Sequence, residues 1–272
     1  MSEFDRDVTL LVRAENRDPF RLLGPHIVEE GEQRRLVVRG FFPRASEVFV
    51  VMEGRGDPIH AGRIHSGGVF EATLSLYPHL PISPTSYRWR VVEAGQPTRE
   101  FYDSYAFPPL LSDFDLYLMG EGTHYLKYEK MGAHPVVIEG VPGVQFGVWA
   151  PNAMRVSVVG DFNHWDGRMH PMRSRGSSGV WELFVPGIAE GAIYKYEVRP
   201  ASADLPLLKS DPYAFRSELR PNSGSIVARL DHHHWNDHGW MEYRSRNDWL
   251  SSPISVYEVH LGSWRRTIEE GR

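Results

Sequence analysis

The chain repeats itself, and that limits its possible folds more than any other feature. Arg35-Leu-Val-Val-Arg-Gly-Phe-Phe-Pro43 followed by Glu47-Val-Phe-Val-Val51 is echoed by Val144-Gln-Phe-Gly-Val-Trp-Ala-Pro151 and Arg155-Val-Ser-Val-Val159. Pro43 and Pro151 lie 108 residues apart, as do Val48 and Val156. Gly68-Val-Phe-Glu71 answers Gly179-Val-Trp-Glu182, Tyr87-Arg-Trp-Arg-Val91 answers Tyr194-Lys-Tyr-Glu-Val198, and Asp103-Ser-Tyr-Ala-Phe107 answers Asp211-Pro-Tyr-Ala-Phe215. Matched blocks in one order, at nearly constant offset, indicate two homologous modules. Within each block apolar and polar residues alternate, β-branched and aromatic residues are frequent, and Gly, Pro or Asn bound the run, which is the pattern of short strands. Val156 and Val158 face one side of a pleat and Arg155 and Ser157 the other. Strands this short, with turns at this density, predict two immunoglobulin-like β-sandwiches in tandem, at 18–110 and 142–230.

Other segments have different patterns. Residues 1–17 predict a helical lead-in whose apolar stripe is Leu10, Leu11 and Ala14, ending before Asp18-Pro19. Residues 111–141 read as a less regular linker. Pro253-Ile-Ser-Val-Tyr-Glu-Val-His-Leu261 is a more continuous apolar run, as in a strand of a buried parallel sheet, so 231–272 is expected to be the lead-in and first strand of an incomplete barrel. The matched aromatic positions, Trp149, Trp181 and Tyr196 against Phe41 or Phe42, Phe70 and Trp89, are expected in the sandwich cores.

Composition excludes several classes. A net charge of -5 offers no general attraction for nucleic acid. With no cysteine, disulfides, thiol nucleophiles and cysteine-ligated metals are excluded. Neither a signal peptide nor an 18-residue apolar span is visible, so the expectation is a cytoplasmic protein without membrane contact. Asp231-His-His-His-Trp235 is not a metal site by pattern, because His232 and His234 could converge on an extended chain but His233 could not, and a second site such as His238 would be needed. Glu258 and His260 share a strand face and serve packing rather than acid–base chemistry. Neither a phosphate-binding Gly-rich loop nor a Gly-x-Ser-x-Gly elbow occurs, and no cofactor is implied.

Taken in order, these segments resemble the N-terminal part of the bacterial 1,4-α-glucan (glycogen) branching enzymes of the α-amylase superfamily. Asp18-Pro-Phe20 with Leu23-Gly-Pro-His26 resembles the opening of that family's first module. Phe146-Gly-Val-Trp-Ala-Pro-Asn152, Gly160-Asp-Phe-Asn-His-Trp165 and Lys209-Ser-Asp-Pro-Tyr-Ala214 resemble its second, a starch- and glycogen-binding type. Trp235-Asn-Asp237, Trp240 and Pro253–Trp264 resemble the approach to its (β/α)8 barrel. The resemblance implies a retaining transfer of α-1,4 glucan segments to α-1,6 positions, which needs two carboxyl groups about 5–5.5 Å apart. No position here matches those carboxylates, so no residue is assigned a catalytic role, and the chain alone is expected to be inactive, its partners an α-glucan and a C-terminal barrel. A stand-alone glucan-binding protein and a non-functional remnant are the alternatives. By the same resemblance Trp165, Lys195 and Asn163 are the glucan-binding candidates, with Trp165 stacking on a sugar ring or else wedging between domains. The family's second stacking Trp has no counterpart in Ala201–Leu208.

Overall fold

Alternation decides the structure of both copies. In the computed structural model, the first copy runs through α1 (Glu3–Val12), β1 (Gly24–Glu30), β2 (Gln33–Phe41), β3 (Ala45–Met52), β4 (Ile59–His60), β5 (Gly62–His65), β6 (Val69–Leu74), β7 (Tyr87–Glu93) and β8 (Arg99–Tyr102). The second begins with α2 (Asp113–Glu121), β9 (Gly132–Ile138), β10 (Val141–Trp149), β11 (Ala153–Gly160) and β12 (Arg173–Ser174). It continues through β13 (Val180–Pro186), β14 (Ile193–Pro200), β15 (Leu207–Lys209), β16 (Arg216–Ser217) and β17 (Ser225–Ile226). The structure describes residues 2–30, 33–54, 56–74, 83–202, 205–231 and 233–264. Each copy forms two antiparallel sheets. In the first these are β1-β2-β6-β5 and β4-β3-β7-β8; in the second, β9-β10-β13-β12 and β11-β14-β17-β16, with β15 beside β14. Strands β1, β2, β6, β3 and β7 thus recur as β9, β10, β13, β11 and β14. None of the described helices is long and apolar enough to cross a membrane.

The inward residues of facing strands make each core. Val144, Phe146 and Val148 of β10 and Leu183 of β13 meet Val156 and Val158 of β11 and Tyr194 and Tyr196 of β14. The first copy is built alike, from Leu36, Val38, Val48, Val50, Tyr87 and Trp89. One buried clasp closes both. The Tyr87 hydroxyl donates to Asp103 Oδ2 at 2.6 Å while Asp103 Oδ1 accepts from the Tyr105 N–H at 2.9 Å. Tyr194 donates to Asp211 Oδ2 at 2.6 Å, and Asp211 Oδ1 accepts from the Tyr213 N–H at 2.8 Å.

The repeat reaches further back than the strand blocks. The segment 111–141, expected to be an irregular linker, holds α2 and β9 and is the second copy's own lead-in. Both helices start on a Ser-x-x-Asp capping box, Ser2/Asp5 and Ser112/Asp115, in which each side chain accepts from the other residue's N–H. Gly24 and Gly132 both take left-handed φ, +88° and +101°, and a Cβ there would lie 2.6 Å from the Tyr105 carbonyl and 3.0 Å from that of Tyr213. Only glycine suits either position. The imidazoles of His26 and His134, two residues on, bond the carbonyls of Leu23 and Met131.

Three expectations are corrected. The buried stripe of α1 is Val8 and Leu11, because Ala14 lies beyond the helix end with φ 58° and Leu10 is only partly covered. Trp149 is 62% exposed: with Val144, Phe146 and Val148 inward, alternation turns residue 149 outward. Residues 253–260 form no strand, since a strand exists only where another pairs with it, and Val256 is 88% exposed. They belong to a second unit, 231–272, in which α3 (His238–Arg246) gathers Trp240, Tyr243 and Trp249 with ring centroids about 6 Å apart and α4 (Leu261–Trp264) follows the extended run.

The clasp predicts a definite cost. Tyr194→Phe leaves a carboxyl buried short of a donor, and urea unfolding should show a loss of about 1.5–3 kcal/mol. Tyr87→Phe should cost a similar amount, and a loss below about 0.5 kcal/mol in both would remove the clasp from the structural argument.

Candidate functional site

Strand β11 ends at Gly160, and the chain must turn at once because the sheet goes no further. Asp161–Asn163 form a single 3-10 turn, after which His164 and Trp165 both adopt left-handed backbone, φ 57° and 58°. The turn is closed by the Trp165 N–H donating to the Gly160 carbonyl at 3.0 Å. Asn163 fastens it from beneath. Its Oδ1 accepts from the Gly160 N–H at 3.0 Å, and its Nδ2 donates to the Val158 carbonyl at 2.9 Å and to His170 Nδ1 at 3.0 Å. Asn163 is 1% exposed, so its amide is spent on holding the loop and presents nothing to a ligand. Trp165 is held differently. Its Nε1–H donates to Asp161 Oδ1 at 2.8 Å, which fixes the indole, and the residue is 37% exposed.

The loop lies over the outer face of the β11–β14 pair. Tyr194 and Tyr196 point inward, so Lys195, Glu197 and Arg199 project from the other side. Lys195 pairs with Val159 in the ladder, and its ammonium donates to Ser223 Oγ at 2.9 Å, leaving further donor capacity. Leu208 stands opposite Glu197 on β15 and is 55% exposed. It occupies the edge where an aromatic was sought. Arg155 and Ser157, on the opposite side of the pleat from Val156 and Val158, are 3% and 0% exposed. The Arg155 guanidinium donates to Ser157 Oγ, to the Gly167 carbonyl and to Glu197, so it pins the loop's far end to the sheet.

On its other side the loop meets the first sandwich. The Tyr105 hydroxyl bonds the carbonyls of Met169 and Pro171 at 3.4 and 3.3 Å. The Arg173 guanidinium sits 3.6 Å from the centroid of the Phe20 ring. Here burial, with a smaller push from the Arg99 charge, lowers the His170 pKa from 6.5 to about 4. The imidazole is therefore neutral at pH 7, with Nδ1 as acceptor from Asn163 and the proton on Nε2. Among the described residues no group of three His, Asp or Glu side chains could hold a metal; His232 lies outside them. Glu258 and His260 lie on the extended run without a strand.

Sequence reasoning named Trp165 and Lys195, which lie on the loop after β11 and on the outer side of β14, but not the loop's second face, which carries Phe162 and His170. The widening of the repeat offset from 108 to 111 between Val156 and Gly179 was the available signal of added residues there.

Comparison with known proteins agrees with this architecture. Residues 5–105 match the family described as alpha-1,4-glucan branching enzyme GlgB, N-terminal domain. Residues 130–214 match carbohydrate-binding module 48 (isoamylase N-terminal domain), beginning just ahead of β9. The 1,4-alpha-glucan branching enzymes GlgB of Rubrobacter xylanophilus and Gloeobacter violaceus are each 48% identical, over 95% and 98% of this chain but only 34% and 35% of their own lengths. That of Nitrosococcus oceani is 46% identical over 97% of this chain and 34% of its own. The chain thus spans about a third of the length of these relatives. Fold and family matches define a pair of tandem β-sandwiches, the second of them matching carbohydrate-binding module 48. The chain corresponds to the N-terminal region of a 1,4-alpha-glucan branching enzyme.

The shift at His170 has a consequence for stability. Between pH 6.5 and about 4 the unfolded chain binds a proton that the folded chain refuses, so stability is full above pH 6.5 and falls toward pH 4. Thermal denaturation should show Tm lower at pH 4.5 than at pH 7. His170→Asn, which removes the titrating group, should recover a few degrees of that difference, and an unchanged pH profile would contradict the assignment.

Proposed function

We propose that the second sandwich binds α-glucan chains on its outer β11–β14 face, with Trp165 stacking on a sugar ring and Lys195 donating to hydroxyl oxygens. The observation that carries this is the fixed and partly exposed indole: its N–H is satisfied within the loop by Asp161, so its ring face can meet a sugar without leaving a polar group unpaired. Asn163 acts on the loop and not on the ligand. In this reading the two immunoglobulin-like sandwiches are the accessory part of a cytoplasmic glycogen branching enzyme. They hold or select chains for a (β/α)8 barrel whose lead-in is residues 231–272, and that barrel supplies the carboxylates that cut α-1,4 and form α-1,6 bonds. The matches to a branching enzyme's N-terminal domain and to module 48 support it.

Two measurements test the proposal. In affinity gels containing glycogen, Trp165→Ala should weaken retention roughly tenfold, equivalent to about 1.4 kcal/mol, with an unchanged Tm, and Lys195→Ala should weaken it less. Retention equal to that of the unaltered chain would assign Trp165 to packing instead. The purified 272-residue chain should leave the iodine staining of amylose unchanged; loss of colour would place catalytic groups within these residues.

A further inference from the structure

The two sandwiches do not close completely on one another. Between β8 of the first and the β13 end of the second is a cleft of about 420 Å³, within the range of small-ligand pockets. The first copy lines it with Phe42, Trp89 and Phe101, and the second with Phe162, His170 and Ile188. Phe101 and Phe162 are each only partly buried, so each offers some ring surface to the opening. Arg99 and Glu100 stand at its edge. Their charges are matched by Glu93 at 3.0 Å and Arg90 at 2.6 Å, so the cleft has hydrogen-bonding groups without a strong net field. His170 adds a directed donor. Because its Nδ1 accepts from Asn163, its proton lies on Nε2, and no described residue receives a hydrogen bond from that nitrogen.

A cleft with apolar rings on two walls, an unused N–H donor and balanced charges at the rim suits a neutral polyhydroxylated ring. Such a ring has an apolar face to stack and hydroxyls to bond, whereas a phosphate or a purely apolar ligand would waste one half of the lining. The repeat supports this choice. Opposite the core aromatic of the preceding strand, β15 of the second copy places Lys209 beside Tyr196, whereas the equivalent strand of the first copy, β8, places Phe101 beside Trp89, so at this position the first copy brings an aromatic ring to the seam. We infer that the seam between the two sandwiches is a second glucan-binding site, formed by Phe101 from one side and Phe162 with His170 from the other. One loop would then serve both sites, Trp165 on its outer surface and Phe162 beneath. The inference rests on the glucan-binding reading above, but not on Trp165 itself.

The test is amide chemical-shift mapping of the whole chain titrated with maltotriose. In the Trp165→Ala chain the amides of Arg99–Asp103 and Val185–Ile188 should still move saturably. Phe101→Ser should reduce the apparent affinity read at those amides at least fivefold. Glu100→Ala, at the rim and outside the core, should reduce it about twofold if Phe101→Ser perturbs folding. Shifts confined to His164–Asp166 and Lys195 would overturn the seam site and leave the outer face standing. Seam shifts without outer-face shifts would do the reverse, and no shift at either place would overturn both.

Discussion

A buried tyrosine–aspartate clasp, made twice, is the interaction on which the rest of the structure depends. In each copy the carboxyl accepts from a core tyrosine through one oxygen and from a backbone N–H two residues on through the other. The residue so held, Tyr105 or Tyr213, turns its carbonyl against the glycine that opens the first strand of the copy. The last segment, the first strand and the central strand are thereby joined through one side chain. Burial raises the pKa of both aspartates, so the clasp tolerates a carboxyl in the core only because its oxygens are occupied. In the second copy Tyr196 also reaches Asp211, at 3.3 Å, which adds a donor at the copy that carries the candidate sugar-binding face.

Duplication leaves both copies with the same outward positions, and their different coverings separate their roles. Residues 41 and 149 are equivalent and both point out of the core. Phe41 is covered by Val8, Leu11, Leu22 and Leu23 of its own lead-in. The second lead-in packs through Leu111 and Met131 onto Val180 and leaves Trp149 open. The larger difference is the stretch between Gly160 and Met172. The first copy turns there through short strands, whereas the second carries a loop with Trp165 partly exposed on one side and Phe162 and His170 lining the cleft on the other. Arg155 and Asn163 are buried beneath that loop for a mechanical reason: without them two consecutive left-handed residues could not be held in place, since each costs energy that only fixed neighbours offset.

How far this could be read from the sequence depended on whether the signal was local. The inward alternation of Val156 and Val158, the aromatic pairs Trp181/Phe70 and Tyr196/Trp89, and the order of the strand blocks are local, and all are found in the cores. Trp149 was expected in the core by analogy with the first copy's aromatics, although the inward run of Val144, Phe146 and Val148 leaves it on the opposite side. The burial of Arg155 and Ser157 was not legible, because it comes from a loop and a helix laid over the sheet from elsewhere in the chain. The repeat of Leu23-Gly-Pro-His26 as Met131-Gly-Ala-His134 went unread, because only two of the four residues agree and the shared geometry lies in a glycine's φ and a histidine's bond to a carbonyl. Residues 253–261 failed for the opposite reason: their apolar run is local, but a strand is a property of a pair.

The position of the Gly160–Trp165 loop follows from these constraints. A sugar-stacking tryptophan needs a rigid support and an open face, and these demands conflict, because rigidity in proteins comes from burial. Here the conflict is resolved by dividing the tasks among neighbours in sequence. Asn163 and Phe162 are directed inward and supply rigidity, to the β11 end and to the Phe146 ring at 6.4 Å. Asp161 stays exposed and satisfies the indole N–H. Trp165 is then free to expose its ring without being free to move it, which is the preorganisation that the proposed binding of a well-solvated polyol would need. The same division bears on the seam: Phe162 packs beneath the loop and also lines the cleft, so one residue contributes to the rigidity of the outer face and to the shape of the inner one.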